Sequence, residues 1–158
     1  MVAVALVSAF VVWQGLQPTS RGSTQSSLGP TKWVFNVNAV EYKGSTEVAK
    51  EPFPTQPAPA GGGYLLKPPV DGKWETSAYR WAPDVITVFQ GDEVELRFWG
   101  VNGGEHFSLI EGYVPQFTVK RGELTTVSFK ADRAGVFKME CANHRPSMEG
   151  HLVVLPRG

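Results

Sequence analysis

Between residues 85 and 155, short apolar runs recur at roughly ten-residue spacing with turn signals between them, and this rhythm restricts the chain to a sandwich or barrel of short strands. VITVF (85–89) runs into the turn Gln90-Gly91-Asp92, and VELRFW (94–99) follows. HFSLI (106–110), PQFTV (115–119), the turn KRGE (120–123), LTTVSF (124–129), the turn ADRAG (131–135), VFKMEC (136–141) and GHLVVL (150–155) complete the series. Upstream, KWVFNVNAV (32–40) alternates Trp33, Phe35, Val37 and Ala39 with Asn36 and Asn38, the period-2 pattern of a half-buried strand. No amphipathic helix and no internal repeat competes with this pattern, so the expected fold is all-β and antiparallel.

Two segments stand apart from the strands. Residues 43–70, KGSTEVAKEPFPTQPAPAGGGYLLKPPV, combine closely spaced prolines with a GGG run. Prolines cannot donate to a ladder, so this stretch is expected to be a long surface excursion without regular structure, with strands resuming from Tyr79. The N-terminal residues 2–13 are apolar, and no charge occurs before Arg21. That run is shorter than the ~20 residues of a full span and lacks a basic leader. It reads as a signal-anchor, a signal peptide or the remnant of a longer membrane helix. The Ser/Thr/Gly/Pro-rich residues 18–31 read as a flexible linker. The expected organisation is thus an anchor or signal over 1–17, a linker over 18–31, and a domain over 32–158 with a Pro/Gly-rich insertion at about 43–78. Such a domain would sit on the periplasmic or extracellular side of a membrane. With 15 Lys+Arg against 15 Asp+Glu, the chain offers no basic field for a polyanion, and nucleic acid is not an expected partner.

The single cysteine carries the chemistry. In an oxidising compartment a lone Cys has no intramolecular partner, and an exposed thiol is open to oxidation. Cys141 ends a predicted strand, His144 and Met148 lie in the following loop, and Gly150 opens the last strand, a spacing of Cys-x2-His-x3-Met-x-Gly. Thiolate, imidazole and thioether together suit a copper ion cycling between Cu(I) and Cu(II). A second imidazole would complete a His2Cys site with a long axial Met, and His106, after the NGG of residues 102–104, is the candidate. Met139 shares the parity of Cys141 deeper in the strand and is expected in the core. His151 falls on the last strand and is expected to be exposed or to support the site from outside, with replacement of Met148 as the alternative.

These residues resemble the cupredoxin family. PDVITVFQGDEVELRF is similar to its Pro-x-x-Ile-x-Val-x-x-Gly-Asp-x-Val-x-Leu opening, HFSLIEG to the segment of the first histidine, and RGELTTVSFKADRAGVFKMEC to the strands before the ligand cysteine. The resemblance covers residues 83–155 and implies a Greek-key β-sandwich. The lengths between these segments are similar to those in the copper domain of cytochrome c oxidase subunit II, which also has an N-terminal membrane anchor. That relative's dinuclear centre needs two cysteines in Cys-x3-Cys-x3-His-x2-Met. Here there is one cysteine and a shorter loop, which resembles that of plastocyanin-like proteins with one residue fewer between His144 and Met148. The resemblance therefore implies one copper ion in a type 1 centre held by His106, Cys141, His144 and Met148. It also implies a backbone amide near Asn102 donating to the Cys141 sulfur.

The first ligand has an alternative. Cupredoxins read His-x-apolar-x-apolar at this point, and in GEHFSLI it is Glu105 that is in phase with Phe107 and Leu109. The copper protein nitrosocyanin, with a glutamate ligand, resembles this Glu-x-Phe-Ser pattern. Downstream spacing to Cys141 favours His106. No Ser/His/Asp arrangement and no phosphate-loop Lys-Ser/Thr is present, so the expected function is single-electron transfer. The chain would act as a membrane-tethered carrier or an oxidase subunit II-like component, with a cytochrome c or a respiratory oxidase as redox partner. A copper enzyme or sensor acting on a small molecule such as nitric oxide, and a copper-delivery protein, are the alternatives.

Overall fold

The computed structural model describes residues 29–158; the anchor or signal reading of residues 1–17 and most of the linker reading lie outside the described residues. Among the described residues, no helix is long and apolar enough to cross a membrane.

Ten strands form two five-stranded sheets. In chain order they are β1 (Lys32–Glu47), β2 (Tyr64–Val70), β3 (Lys73–Ala82), β4 (Val85–Phe89), β5 (Glu93–Gly100), β6 (Glu105–Ile110), β7 (Val114–Lys120), β8 (Leu124–Lys130), β9 (Gly135–Cys141) and β10 (Glu149–Leu155). The first sheet runs β2-β3-β1-β5-β8 and the second β4-β10-β9-β6-β7. Every strand expected between residues 85 and 155 is present within one or two residues. The sheets are mixed and not purely antiparallel: β1 lies parallel to β5, and β10 parallel to β4. Alternation supplies the core, with Val37, Ala39, Val94, Leu96 and Phe98 from one sheet meeting Ile86, Val88, Ile110, Val119, Met139, Leu152 and Val154 from the other.

The excursion over residues 43–70 is where sequence and structure differ. β1 continues to Glu47, and Tyr64–Val70 pairs with β3 as a hairpin. Pro68 and Pro69 are tolerated because they fall between Lys67 and Val70, where the register with β3 is interrupted, on a strand whose other side is the edge of the sheet. The turn between them is Asp71-Gly72, both with positive φ (51° and 74°), the geometry of a two-residue hairpin turn. That Asp-Gly pair is a strand signal which the density of prolines obscures. Only residues 48–63 remain irregular, braced by Phe53 edge-on to Trp74 and by the Trp74 indole donating to the Glu51 carbonyl at 2.8 Å.

β1 divides its pairing. Residues 32–39 align with β5, whereas residues 38–47 align with β3. The sheet is therefore staggered, and β3 brings Tyr79 and the fully buried Trp81 to the end of the sandwich where β6 and β9 meet.

Candidate metal centre

Cys141 is the last residue of β9 and stands opposite Ser108 of β6 in the ladder. One short turn follows, Ala142–His144, and the loop closes on itself through Met148 N to His144 O (2.9 Å) and Cys141 N to Met148 O (3.1 Å). Arg145 ends that turn in an extended conformation (φ −76°, ψ 153°), as the following Pro146 requires. His144 is thereby turned back over the sheet end, towards the residue two before Ser108.

That residue is His106. Strand β6 points His106, Ser108 and Ile110 inward and leaves Glu105 and Phe107 exposed. The phase suggested by Phe107 and Leu109 is thus reversed: Glu105 reaches solvent, where it pairs with Lys120 at 3.5 Å. His106 is fully buried. Its Nε2 lies 3.0 Å from the carbonyl of Asn102. A carbonyl can only accept, so Nε2 carries the proton and Nδ1 presents a lone pair to the interior. Asn102 is itself held by β1, its side chain bonding the Glu41 amide and carbonyl at 2.5 and 3.1 Å. Gly103, with φ of 81°, lets this corner lie against the ring: a Cβ there would stand 3.0 Å from His106 Nε2 and 2.9 Å from Tyr79.

The result is a cluster of three donors. His106 Nδ1 and His144 Nδ1 are 3.2 Å apart, and the Cys141 sulfur is 3.4 Å from His144 Nδ1 and 3.9 Å from His106 Nδ1. Among the described residues, this is the group of His, Cys, Asp and Glu side chains whose ligand atoms converge, all within 4.8 Å of one another. Met148 is fully buried in the same core cluster as Cys141. Met139 lies in the core, and His151 is exposed on β10.

Burial sets the charge states. It pushes the Cys141 thiol up, against the smaller pull of the Asn143 and His144 amides and the Ser108 hydroxyl, so the group is a neutral thiol at pH 7. Loss of solvent, and then the neighbouring His106, lower His144 to about 4; loss of solvent also lowers His106. Two neutral imidazoles and a soft sulfur face one point with no carboxylate between them. Such a set suits a borderline or soft transition ion and not Mg²⁺ or Ca²⁺, which need oxygen. Copper fits it.

Two supports were not visible in the sequence pattern. The amides against the Cys141 sulfur are those of Asn143 and His144, on its own loop, whereas Asn102 acts through its carbonyl on His106. Asn143 also bridges the loop to β6 on both sides of His106: Oδ1 accepts from Phe107 N (3.1 Å) and Nδ2 donates to Glu105 O (3.0 Å). Its position between Cys141 and His144 was the available signal, since an amide both donates and accepts. Replacing Asn143 by Ala is expected to cost about 1–2 kcal/mol, two modest hydrogen bonds, in urea unfolding of the metal-free protein. An unchanged midpoint would show that water replaces both bonds.

No family model matches the chain, and no curated protein matches it. Solved structures do. A copper nitrite reductase from Nitrosomonas europaea superposes with a TM-score of 0.53 at 17% identity, covering 80% of this chain and 42% of that one. A multicopper oxidase superposes with a TM-score of 0.51 at 20% identity, covering 81% of this chain and 40% of that one. The chain has the cupredoxin fold. It spans about two fifths of the length of either neighbour, so the likeness concerns the cupredoxin unit and not those whole proteins. The converging donors sit at the end of the cupredoxin sandwich where the β9–β10 loop meets the start of β6.

Proposed function

We propose that the chain carries single electrons through one copper ion that His106, Cys141 and His144 would hold, with the Met148 thioether as the fourth ligand. The observation that supports this most is the convergence of two imidazole Nδ1 atoms and the only sulfur anion precursor of the chain on one buried point. The single cysteine supports a count of one ion, because a pair bridged by two thiolates needs a second. Bound there, copper supplies one-electron chemistry between Cu(I) and Cu(II). The remaining features belong to the protein. Ligands fixed on β6 and on a loop closed by its own hydrogen bonds have little room to move, which favours fast transfer with small reorganisation. Cys141 and His106 are fully buried and His144 is half-buried, so the His144 ring is the ligand nearest to solvent and the reading makes it the electron exit.

The apolar residues 2–13 support a membrane-tethered, extracytoplasmic placement, with a cytochrome c or a respiratory oxidase as partner, as a carrier or an oxidase subunit II-like component. The solvent-facing position of Glu105 lends nothing to a glutamate-ligated, nitric-oxide-reactive site. The full burial of Cys141 and Met148 disfavours the open, exchangeable site that copper delivery needs.

Electron paramagnetic resonance of the copper-loaded protein tests the proposal: four hyperfine lines are expected, seven would mean two coupled ions, and no uptake would end it. His106→Ala is expected to change the copper spectrum far more than Glu105→Gln. The reverse ranking would move the ligand role to Glu105.

A further inference from the structure

The glycine run that closes the Pro-rich excursion lies on the ligand loop. Gly62 forms an isolated parallel bridge with Arg145, and the Gly63 amide donates to the Arg145 carbonyl at 3.0 Å. The Gly63 carbonyl accepts twice, from the Tyr79 amide at 3.0 Å and from the buried Ser147 hydroxyl at 2.5 Å. One residue thereby joins the loop, on both sides of Pro146, to β3. The ring of Tyr79 in turn stacks on the His144 imidazole, centroids 3.7 Å apart and planes 19° apart.

Side chains are excluded at all three glycines, and always by residues 143–147. A Cβ at 61 would stand 2.5 Å from the Arg145 oxygen, one at 62 would stand 2.6 Å from the Asn143 oxygen, and one at 63 would stand 2.5 Å from both the His144 oxygen and the Ser147 hydroxyl. Most of these obstacles are backbone and cannot swing aside. Gly61 and Gly62 also hold φ of 118° and 78°, which favours glycine independently. An insertion that merely decorated the surface would show no such convergence.

We infer that glycines 61–63 with Ser147 form a clasp that positions the ligand loop, fixing the His144 ring against Tyr79 and thereby slowing loss of the metal. The residues are positioning residues: none of them offers a ligand atom to the centre. The part concerning the metal rests on the copper reading above; the part concerning the His144–Tyr79 contact does not.

The test uses the full chain with Gly63→Ala, Ser147→Ala and, as control, Gly44→Ala, whose added methyl would meet only Thr76 at 3.8 Å. Without metal, nuclear Overhauser contacts between the Tyr79 and His144 rings are measured; with copper loaded, its release to a chelator is timed. Both clasp variants are expected to lose the ring contact and to release copper tenfold faster or more, the range found when groups supporting a ligand are removed. Gly44→Ala should match the unmodified chain within twofold. Folded clasp variants that keep the ring contact and release copper within twofold of the unmodified chain would overturn the inference. Should Gly63→Ala fail to fold, Ser147→Ala, which adds no volume, decides alone. Failure of the unmodified chain to take up copper would sink the metal reading, while the ring contact would still decide the clasp.

Discussion

Replacing Cys141 by Ser is expected to remove the intense visible charge-transfer absorption of the copper-loaded protein completely. The band requires a thiolate donor, and the chain has one cysteine. A serine oxygen is harder than sulfur, and its hydroxyl stays protonated where a metal-bound thiol does not. In the absence of metal the thiol is neutral and sits between the Asn143 side-chain oxygen, 3.3 Å away, and His144, so a hydroxyl of similar size can occupy the same place. The variant should therefore fold and still lack the colour. Visible absorption of the folded, copper-treated variant is the measurement, and persistent intense colour would show that the sulfur is not a ligand.

The second large effect lies at the opposite kind of site, a structural carboxylate. Asp92, in the turn between β4 and β5, is fully buried. It accepts from the amide of Thr31 (2.8 Å), the indole of Trp33 (2.9 Å) and the amide of Phe89 (2.9 Å), and it pairs with the guanidinium of Arg157. One side chain thus ties residues 31–33, the β4–β5 turn and the end of the chain together. Asp92→Ala is expected to lower stability by about 2–4 kcal/mol, because three hydrogen bonds and an ion pair lose their common buried acceptor while their donors are left only partly open to water. The denaturant midpoint should fall with its slope unchanged; a loss under about 1 kcal/mol would mean that water fills the place of the carboxylate.

The same residue sets an acid limit. Loss of solvent pushes its carboxyl up, but the Thr31 and Phe89 amides, the Trp33 indole and Arg157 together outweigh that and hold it below the usual range. A carboxyl depressed in the folded state contributes its stability above its unfolded value of about 3.9 and loses it as pH falls through the lower folded value. Acid unfolding of the unmodified chain should therefore include a component below pH ~4 that is missing in Asp92→Ala.

The strands from Val85 to Leu155 were legible because each is short, apolar on alternate positions and closed by Gly, Asp or Pro turns. The hairpin β2–β3 was hidden because proline density argues against strands, an argument that fails on an edge strand whose prolines sit in an interruption of the ladder. The inward phase of β6 was also ambiguous from pattern alone: Phe107 and Leu109 look like the apolar face, yet Ser108 and His106 are the buried residues and Phe107 is exposed.

What the amino-acid order alone determined is the donor chemistry and its spacing: one sulfur, an imidazole three residues on and a thioether four further, all within a single short loop where sequence distance limits spatial distance. What the tertiary structure alone decided is which residue of β6 faces that loop, and that a triglycine some eighty residues earlier in the chain holds it. Both depend on contacts between segments far apart in sequence. Strand pairing chooses which of two opposite faces is buried, and close backbone approach selects glycine only where the folded chain brings two backbones together.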